Sequence, residues 1–340
     1  MSRHSLAPRH AGRLALLAVS SLILFGCSSA PVALGAEGVP SLSLDAPLTT
    51  VACTTLGTCI AVGATGELRA PTTAGQIRNH KGNWSTLHTP PALLATFTSA
   101  SCATNTCYFG GTKAGGELLW SVNANNGIIH SLAGPPGGLV IRDLSCTSDV
   151  ACTVIDIAAN HTVRLSHSTN AGGSWSAPRT LRWVSVNETA LNCHAVNDCF
   201  LSSTSPTHVV ALRHTFNGGL SWHLVATPPT WRSLASLQCL QLCTALVTTG
   251  AGSRVASQAV SLKWHETGLT FRGASLSCAS ATLCVAVGAL GNQTPAMAQW
   301  VPHLARNIPL TYVPSSLNDV ACQPAVCVAI GVTTLVALHP

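Results

Sequence analysis

The chain has 340 residues, 47% of them hydrophobic and 8% charged, with 28 glycines, 19 prolines, 15 cysteines and a formal net charge of +6. That balance excludes a disordered chain, which is poor in apolar residues and rich in charge, and excludes collagen and long coiled coils, whose repeats need another composition. Arg3, Arg9 and Arg13 supply half of the net charge, so the remainder lacks the Lys/Arg density of a nucleic-acid-binding surface.

The first element in chain order is a targeting segment. A positive n-region precedes an apolar run from Leu14 to Phe25. A transmembrane helix needs about 20 apolar residues, whereas a run this short suits the h-region of a secretory signal, so the chain is expected to be exported. Leu24-Phe25-Gly26-Cys27 resembles the lipobox of bacterial lipoproteins, in which a small residue precedes a cysteine that becomes diacylated and N-terminal after cleavage; Phe25 departs from that pattern. The resemblance implies a signal peptide over 1–26, lipidation at Cys27, a linker over 27–38, and attachment to the outer face of the cell membrane through the lipid alone. Cleavage further on, near Ala33 to Ala36, would instead discard Cys27 and leave a secreted protein.

Fourteen cysteines remain, as seven close pairs: Cys53/Cys59, Cys102/Cys107, Cys146/Cys152, Cys193/Cys199, Cys239/Cys243, Cys278/Cys284 and Cys322/Cys327. Their first members are 49, 44, 47, 46, 39 and 44 residues apart. A period of about 45 residues is the length of a four-stranded propeller blade. The pairs precede recurring text, Cys59-Ile-Ala-Val-Gly63, Cys284-Val-Ala-Val-Gly288 and Cys327-Val-Ala-Ile-Gly331, a strand signal ended by glycine. Each pair is therefore expected to bridge adjacent strands, its first cysteine ending the innermost strand of a blade and its second beginning the neighbour. Two thiolates make only half of a tetrahedral zinc site, and export favours disulfides.

A second repeat follows the cysteines. Ser168-Thr-Asn170-Ala-Gly172-Gly-Ser174-Trp175 and Thr215-Phe-Asn217-Gly-Gly219-Leu-Ser221-Trp222 resemble the Asp-box, or BNR repeat, with asparagine in place of aspartate. Weaker copies end at Trp84, Trp264 and Trp300. The resemblance implies a sialidase-like propeller over about Cys53 to Pro340, with the boxes on the face opposite the functional one. The expected fold is an all-β, seven-bladed β-propeller over 39–340 with one disulfide per blade. The last repeat ends without an outer strand, and Val39 to Leu48 is expected to supply it, closing the ring and removing exposed edges.

The open face would then carry the links between blades, which collect Arg142, Arg179, Arg182, Trp183, Trp231, Arg232, Arg272 and Arg306. Arginine forks match carboxylates and phosphates, and tryptophan stacks on sugars, so Arg142, Arg182, Trp183, Trp231, Arg232, Arg272 and Arg306 are candidate ligand contacts for an anionic envelope glycan or a protein. The same residues would otherwise be solvated linker charges and inter-blade packing.

Catalysis is the alternative. Sialidases of this fold use a tyrosine nucleophile with a glutamate partner and an aspartate acid/base, and Tyr312, Glu188 and Asp156 are the residues that would fill those roles. The family's Arg-Ile-Pro motif is absent, and the remaining aspartates make no evident pair for an inverting hydrolase. No nucleophile elbow, phosphate loop or metal-spaced histidine pair occurs, so no cofactor or metal is expected. The sequence therefore points to a non-catalytic, monomeric binding or scaffold module of the cell envelope, with glycoside hydrolysis as the second reading.

Overall fold

The computed structural model describes residues 48–63, 76–78, 84–86, 95–185, 189–240, 242–259, 261–301, 304–308, 310, 315–324, 326–332 and 334–338. The chain divides into two units, 1–33 and 34–340, and the described residues all belong to the second. Short runs rich in Val, Ala, Ser and Thr form strands throughout, and no helix occurs among the described residues.

The strands make antiparallel meanders. The first blade is β1 (Leu48–Cys53), β2 (Cys59–Gly63), β3 (Gln76–Arg78) and β4 (Trp84–Thr86). The second is β5 (Ala95–Cys102), β6 (Thr106–Lys113), β7 (Gly116–Asn123) and β8 (Ile129–Leu132). The third is β9 (Gly138–Cys146), β10 (Cys152–Ala158), β11 (Val163–Ser168) and β12 (Arg179–Thr180), and the fourth is β13 (Thr189–Ala195), β14 (Asp198–Thr204), β15 (Val210–Thr215) and β16 (His223–Val225). The fifth is β17 (Trp231–Cys239), β18 (Cys243–Thr249), β19 (Gly252–Gln258) and β20 (Trp264–Gly268), and the sixth is β21 (Arg272–Ser280), β22 (Leu283–Ala289), β23 (Pro295–Val301) and β24 (Leu304–Asn307). A three-stranded sheet follows: β25 (Leu317–Gln323), β26 (Val326–Gly331) and β27 (Leu335–Leu338).

The first strand of each sheet packs on the first strand of the next, from β1 through β5, β9, β13, β17 and β21 to β25, and β25 also meets β1. This is a β-propeller. Its core lies between sheets rather than within one: Val285 and Val287 of the sixth blade meet Leu317, Val320 and Ala329, and Val51 and Ala61 of the first meet Val328 and Ile330. Second strands such as β10 and β26 are covered on both faces and therefore read as unbroken apolar runs rather than alternating ones.

The glycine that ends several of those runs has a steric cause. The first strands carry bulges at Phe97/Ser99, Gly273/Ser275 and Leu317/Asp319. There the bulged backbone swings toward its partner, and a Cβ on Gly111, Gly288 or Gly331 would run into the carbonyl oxygen of Thr96, Arg272 or Ser316.

All seven cysteine pairs are disulfides, each joining directly opposed residues of the first two strands with Cα atoms 3.8–4.0 Å apart. The Ser/Thr-x-Asn turns lie at the same end: Ala171 N donates to Val150 O at 2.8 Å, and Gly218 N to Asn197 O at 3.0 Å. Within each turn the polar side chains hold the backbone. Ser168 Oγ accepts from Gly172 N and Asn170 Oδ1 from Ser174 N, both at 2.9 Å, and Thr215 and Asn217 repeat the pattern. Trp175 and Trp264 reach the preceding blade, donating from Nε1 to Ala133 O and Ala226 O at 2.9 Å.

Three sequence expectations are corrected. The second cysteine does not begin its strand in every blade: Cys107, Cys199, Cys284 and Cys327 each stand one residue inside, after Thr106, Asp198, Leu283 and Val326. The cause is pairing that runs past the bridge toward the turn, as Ala195 opposite Asp198, Ser280 opposite Leu283 and Gln323 opposite Val326. In the second blade Thr106 pairs outward with Asn123 instead. Set inside the strand and covered by the neighbouring sheet, these four cysteines are buried and serve the core, not an exposed turn. Trp300, expected to end a weaker copy of the box, lies buried inside β23, the third strand of its blade, rather than at the end of a turn. Leu48 already belongs to the inner strand β1, paired with Gly63, and the rest of the expected closing strand, residues 39–47, lies outside the described residues.

Candidate functional site

The inner strands enclose a polar channel with a cavity of about 440 Å³. Its wall is stitched by a repeat within the repeat. The residue before the first cysteine of a blade accepts the N–H of the first cysteine in the next. Ser101 Oγ takes Cys146 N at 2.9 Å, Ser145 Oγ takes Cys193 N at 3.0 Å, and Asn192 Oδ1 takes Cys239 N at 3.0 Å. Gln238 Oε1 takes Cys278 N at 2.6 Å, and Ser277 Oγ takes Cys322 N at 2.9 Å. Alanine stands at this position in the first blade and in the terminal sheet, Ala52 and Ala321, and Gln323 Nε2 spans the latter junction to Cys53 O at 3.1 Å.

Three residues before the cysteine stand Thr50, Ser99, Asp143, Ala190, Ser236, Ser275 and Asp319. The two aspartates tie three sheets each. Asp143 accepts from Ser99 Oγ and Leu144 N, both at 2.8 Å, and from Leu191 N at 2.6 Å. Asp319 accepts from Ser275 Oγ at 2.7 Å, Val320 N at 2.9 Å, and Val51 N and Thr50 Oγ1 at 3.0 Å. Both border the channel, yet their carboxyls are enclosed: burial pushes Asp143 up to about 6, against the pull of its donors, and raises Asp319 as well. A reading confined to acid pairs for hydrolysis overlooks this role, although the recurrence of Ser, Thr and Asp at one offset from cysteine is a legible signal.

Taking as upper the face opposite the disulfide turns, the candidate ligand residues separate into groups. Arg142 lies in β9, exposed at the channel. Arg182 is exposed in the turn after β12. Trp183 beside it is half-buried, 5.5 Å from Trp222, with the Arg213 guanidinium 4.7 Å over its ring. Trp231 is 2% exposed, packed on Trp264, and donates from Nε1 to Glu266 Oε1 at 2.8 Å. Arg232 and Arg272, at the upper ends of β17 and β21, line one cavity. Arg306 is not in a link but in the outer strand β24. No ion pair with a described acid is made by Arg142, Arg182, Arg232, Arg272 or Arg306.

Of the candidate catalytic residues, Tyr312 and Glu188 lie outside the described residues. Asp156 is not in an upper loop but inside β10, fully buried, and both its oxygens are taken by Arg164, from Nε at 2.7 Å and Nη2 at 2.9 Å. Glu117 from the second blade completes this cluster. Its carboxyl fits beneath Gly134 and Gly138, where any Cβ would collide with it.

Burial first, and then the Asp156 carboxylate, push Glu117 up to about 8 from the ordinary 4.5. The folded state thus binds a proton that the unfolded state has already released, so this group's stabilisation is full below about pH 4.5 and is lost as pH rises through 8. For a group still partly solvated the discounted effect is about 1–2 kcal/mol, and the Tm at pH 8.5 is expected to lie roughly 2–6 °C below that at pH 5.5. Glu117→Gln should flatten that slope in calorimetry; an unchanged slope would refute the assignment.

No protein-family model and no curated protein matches the chain. Among solved structures it is similar to YCF48 bound to D1 peptide, at 13% identity and a TM-score of 0.62, over 92% of this chain and 99% of that one. It is also similar to virginiamycin B lyase from Staphylococcus aureus, at 10% identity and 0.60, over 88% and 97% of the two chains. A GH74 xyloglucanase from Xanthomonas campestris matches at 10% identity and 0.62, over 90% of this chain and 53% of that one. At such identities the likeness shows the fold alone, a β-propeller, to which this chain adds its seven disulfides.

Proposed function

We propose that the protein is an exported, lipid-anchored β-propeller that holds an anionic partner at the cell envelope through its upper face, without catalysis. One observation carries the reading: Arg142, Arg182, Arg232 and Arg272 stand exposed without acidic partners among the described residues, while every described Asp and Glu except Glu117, which is enclosed beneath Gly134 and Gly138, is held by hydrogen bonds or ion pairs. Such a surface attracts and orients anions. The engaged carboxyls disfavour the hydrolase alternative, for which the likeness to a xyloglucanase would speak and to which Tyr312 and Glu188 would belong. That a propeller of similar shape, YCF48, has been captured with a bound peptide agrees with a protein partner.

In the same proposal the three-stranded sheet is the seventh blade, completed by chain preceding β1. Leu48 N donates to Val332 O at 3.1 Å, so the start of β1 meets the chain just past β26, which supports the reading. The Ser/Thr-x-Asn turns are Asp-boxes in which asparagine does the work of aspartate, as their internal hydrogen bonds support. Seven disulfides suit an oxidising compartment, and Cys27 carries the lipid.

The test is fractionation of cells expressing the full chain, followed by co-sedimentation with isolated envelope material at low and high salt. Cys27→Ser should move the protein from the membrane to the soluble fraction. Saturable binding that weakens with salt and releases no sugar is expected; membrane retention of the variant would overturn the anchor, and released sugar would restore the hydrolase.

A further inference from the structure

Two adjoining cavities lie on the upper face where the fourth, fifth and sixth blades meet. One, of about 750 Å³, is bordered by Arg232, Arg272 and His208; the other, of about 540 Å³, by Arg232, His208 and Thr230. Because both are walled by Arg232 and His208, they form one groove. It runs from the β14–β15 turn, across the top of β17, to the start of β21.

The groove is cationic. Arg232 and Arg272 are exposed, and neither pairs with an acid among the described residues. The nearby Glu266 is already taken by Trp231 at 2.8 Å and Arg254 at 3.6 Å. The floor is open: a Cβ on Gly252 or Gly291 would meet nothing within 4 Å, so backbone stays accessible there. The tryptophan and phenylalanine along it are spent in the core, with Trp231 2% and Phe271 5% exposed, so that among the described lining residues only the small His208 imidazole stays exposed as a ring on which a sugar could stack.

We infer that this groove takes an extended acidic peptide, whose side-chain carboxylates are clasped by the Arg232 and Arg272 guanidinium forks. The length of the groove across three blades suits a chain rather than a single ion. Two forks on neighbouring strands suit carboxylates repeated along it, and the lack of an exposed Trp, Tyr or Phe among the described lining residues favours peptide over polyuronate. The inference rests on the anion-binding reading of the upper face and narrows it to one groove and one ligand class.

The test is a fluorescence anisotropy titration of the detergent-solubilised full chain with a labelled octapeptide alternating Glu and Ser. The Gln/Ser counterpart is the neutral control, and trigalacturonate is the competing anion. The Glu peptide should bind and the Gln peptide should not. Arg232→Ala and Arg272→Ala should each weaken binding roughly ten- to a hundredfold, as expected for lost hydrogen bonds to a charged group. The corresponding lysine variants should retain part of the affinity, while Lys263→Ala, in a turn on the opposite face, should change nothing. Equal binding of the two peptides, or unchanged affinity in both alanine variants, would overturn the inference. Arginine-dependent binding of trigalacturonate without the peptide would overturn the peptide class and leave the anionic partner standing; failure of both anions would end both readings.

Discussion

The protein with all seven disulfides reduced is expected not to fold at 37 °C. Each bridge closes a loop of only 4 to 6 residues in sequence separation, so chain entropy assigns it about 2 kcal/mol. Seven together match the whole stability of an ordinary domain, about 5–15 kcal/mol. The bridges also hold the first strands in the register on which the Ser, Asn and Gln latches between blades depend. The cysteines are mostly buried, Cys107 and Cys199 among the deepest, so the protein is reduced while denatured and returned to native buffer. Loss of the cooperative melt in far-UV circular dichroism is expected. A thiol-counted reduced protein that melts where the oxidised one does would refute a structural role for the bridges. Removal of one pair, Cys146→Ala with Cys152→Ala, should cost about 2 kcal/mol, or roughly 4–8 °C in Tm.

Asp319→Ala should be the most damaging single change outside the cysteines. It removes the acceptor of four hydrogen bonds from β1, β21 and its own strand, and leaves the Val51 and Val320 N–H groups unpaired at the contact between the terminal sheet and the first blade. An unsatisfied buried donor costs about 1–3 kcal/mol, so the total is about 3 kcal/mol and roughly 6–12 °C in Tm. Ser236→Ala at the equivalent position of the fifth blade loses one bond, from Ser236 Oγ to Leu276 O at 2.8 Å, and should cost about 1 kcal/mol. Urea unfolding of the two variants side by side checks the ranking; equal midpoints would show that Asp319 holds nothing together.

The cysteine hairpins, the glycines after Val-Ala-Val and the turn asparagines act within a few residues of one another, so their consequences could be read along the chain. The pairing of Cys146 with Cys152, and the shared face of the disulfide and Ser/Thr-x-Asn turns, follow from that local geometry. The aspartates were harder. Asp143 and Asp319 make no evident pair along the sequence, and their role shows only when the donors of neighbouring blades, 44 to 48 residues away or across the contact from Asp319 to Val51, are set beside them.

What the sequence determined by itself was the repeat, its strands and its disulfides, because these rest on contacts of short sequence separation and on a period that recurs. Only the tertiary structure decided which side chains share a surface. Trp231 and Arg232 are adjacent in sequence but point to opposite sides of one strand, so that the tryptophan packs into the inter-blade core while the arginine opens onto the groove with Arg272. Asp156 likewise turned from a candidate acid into the buried partner of Arg164. The convergence of such groups depends on the curvature of the ring and the packing between blades, and no local pattern of residues encodes those distances.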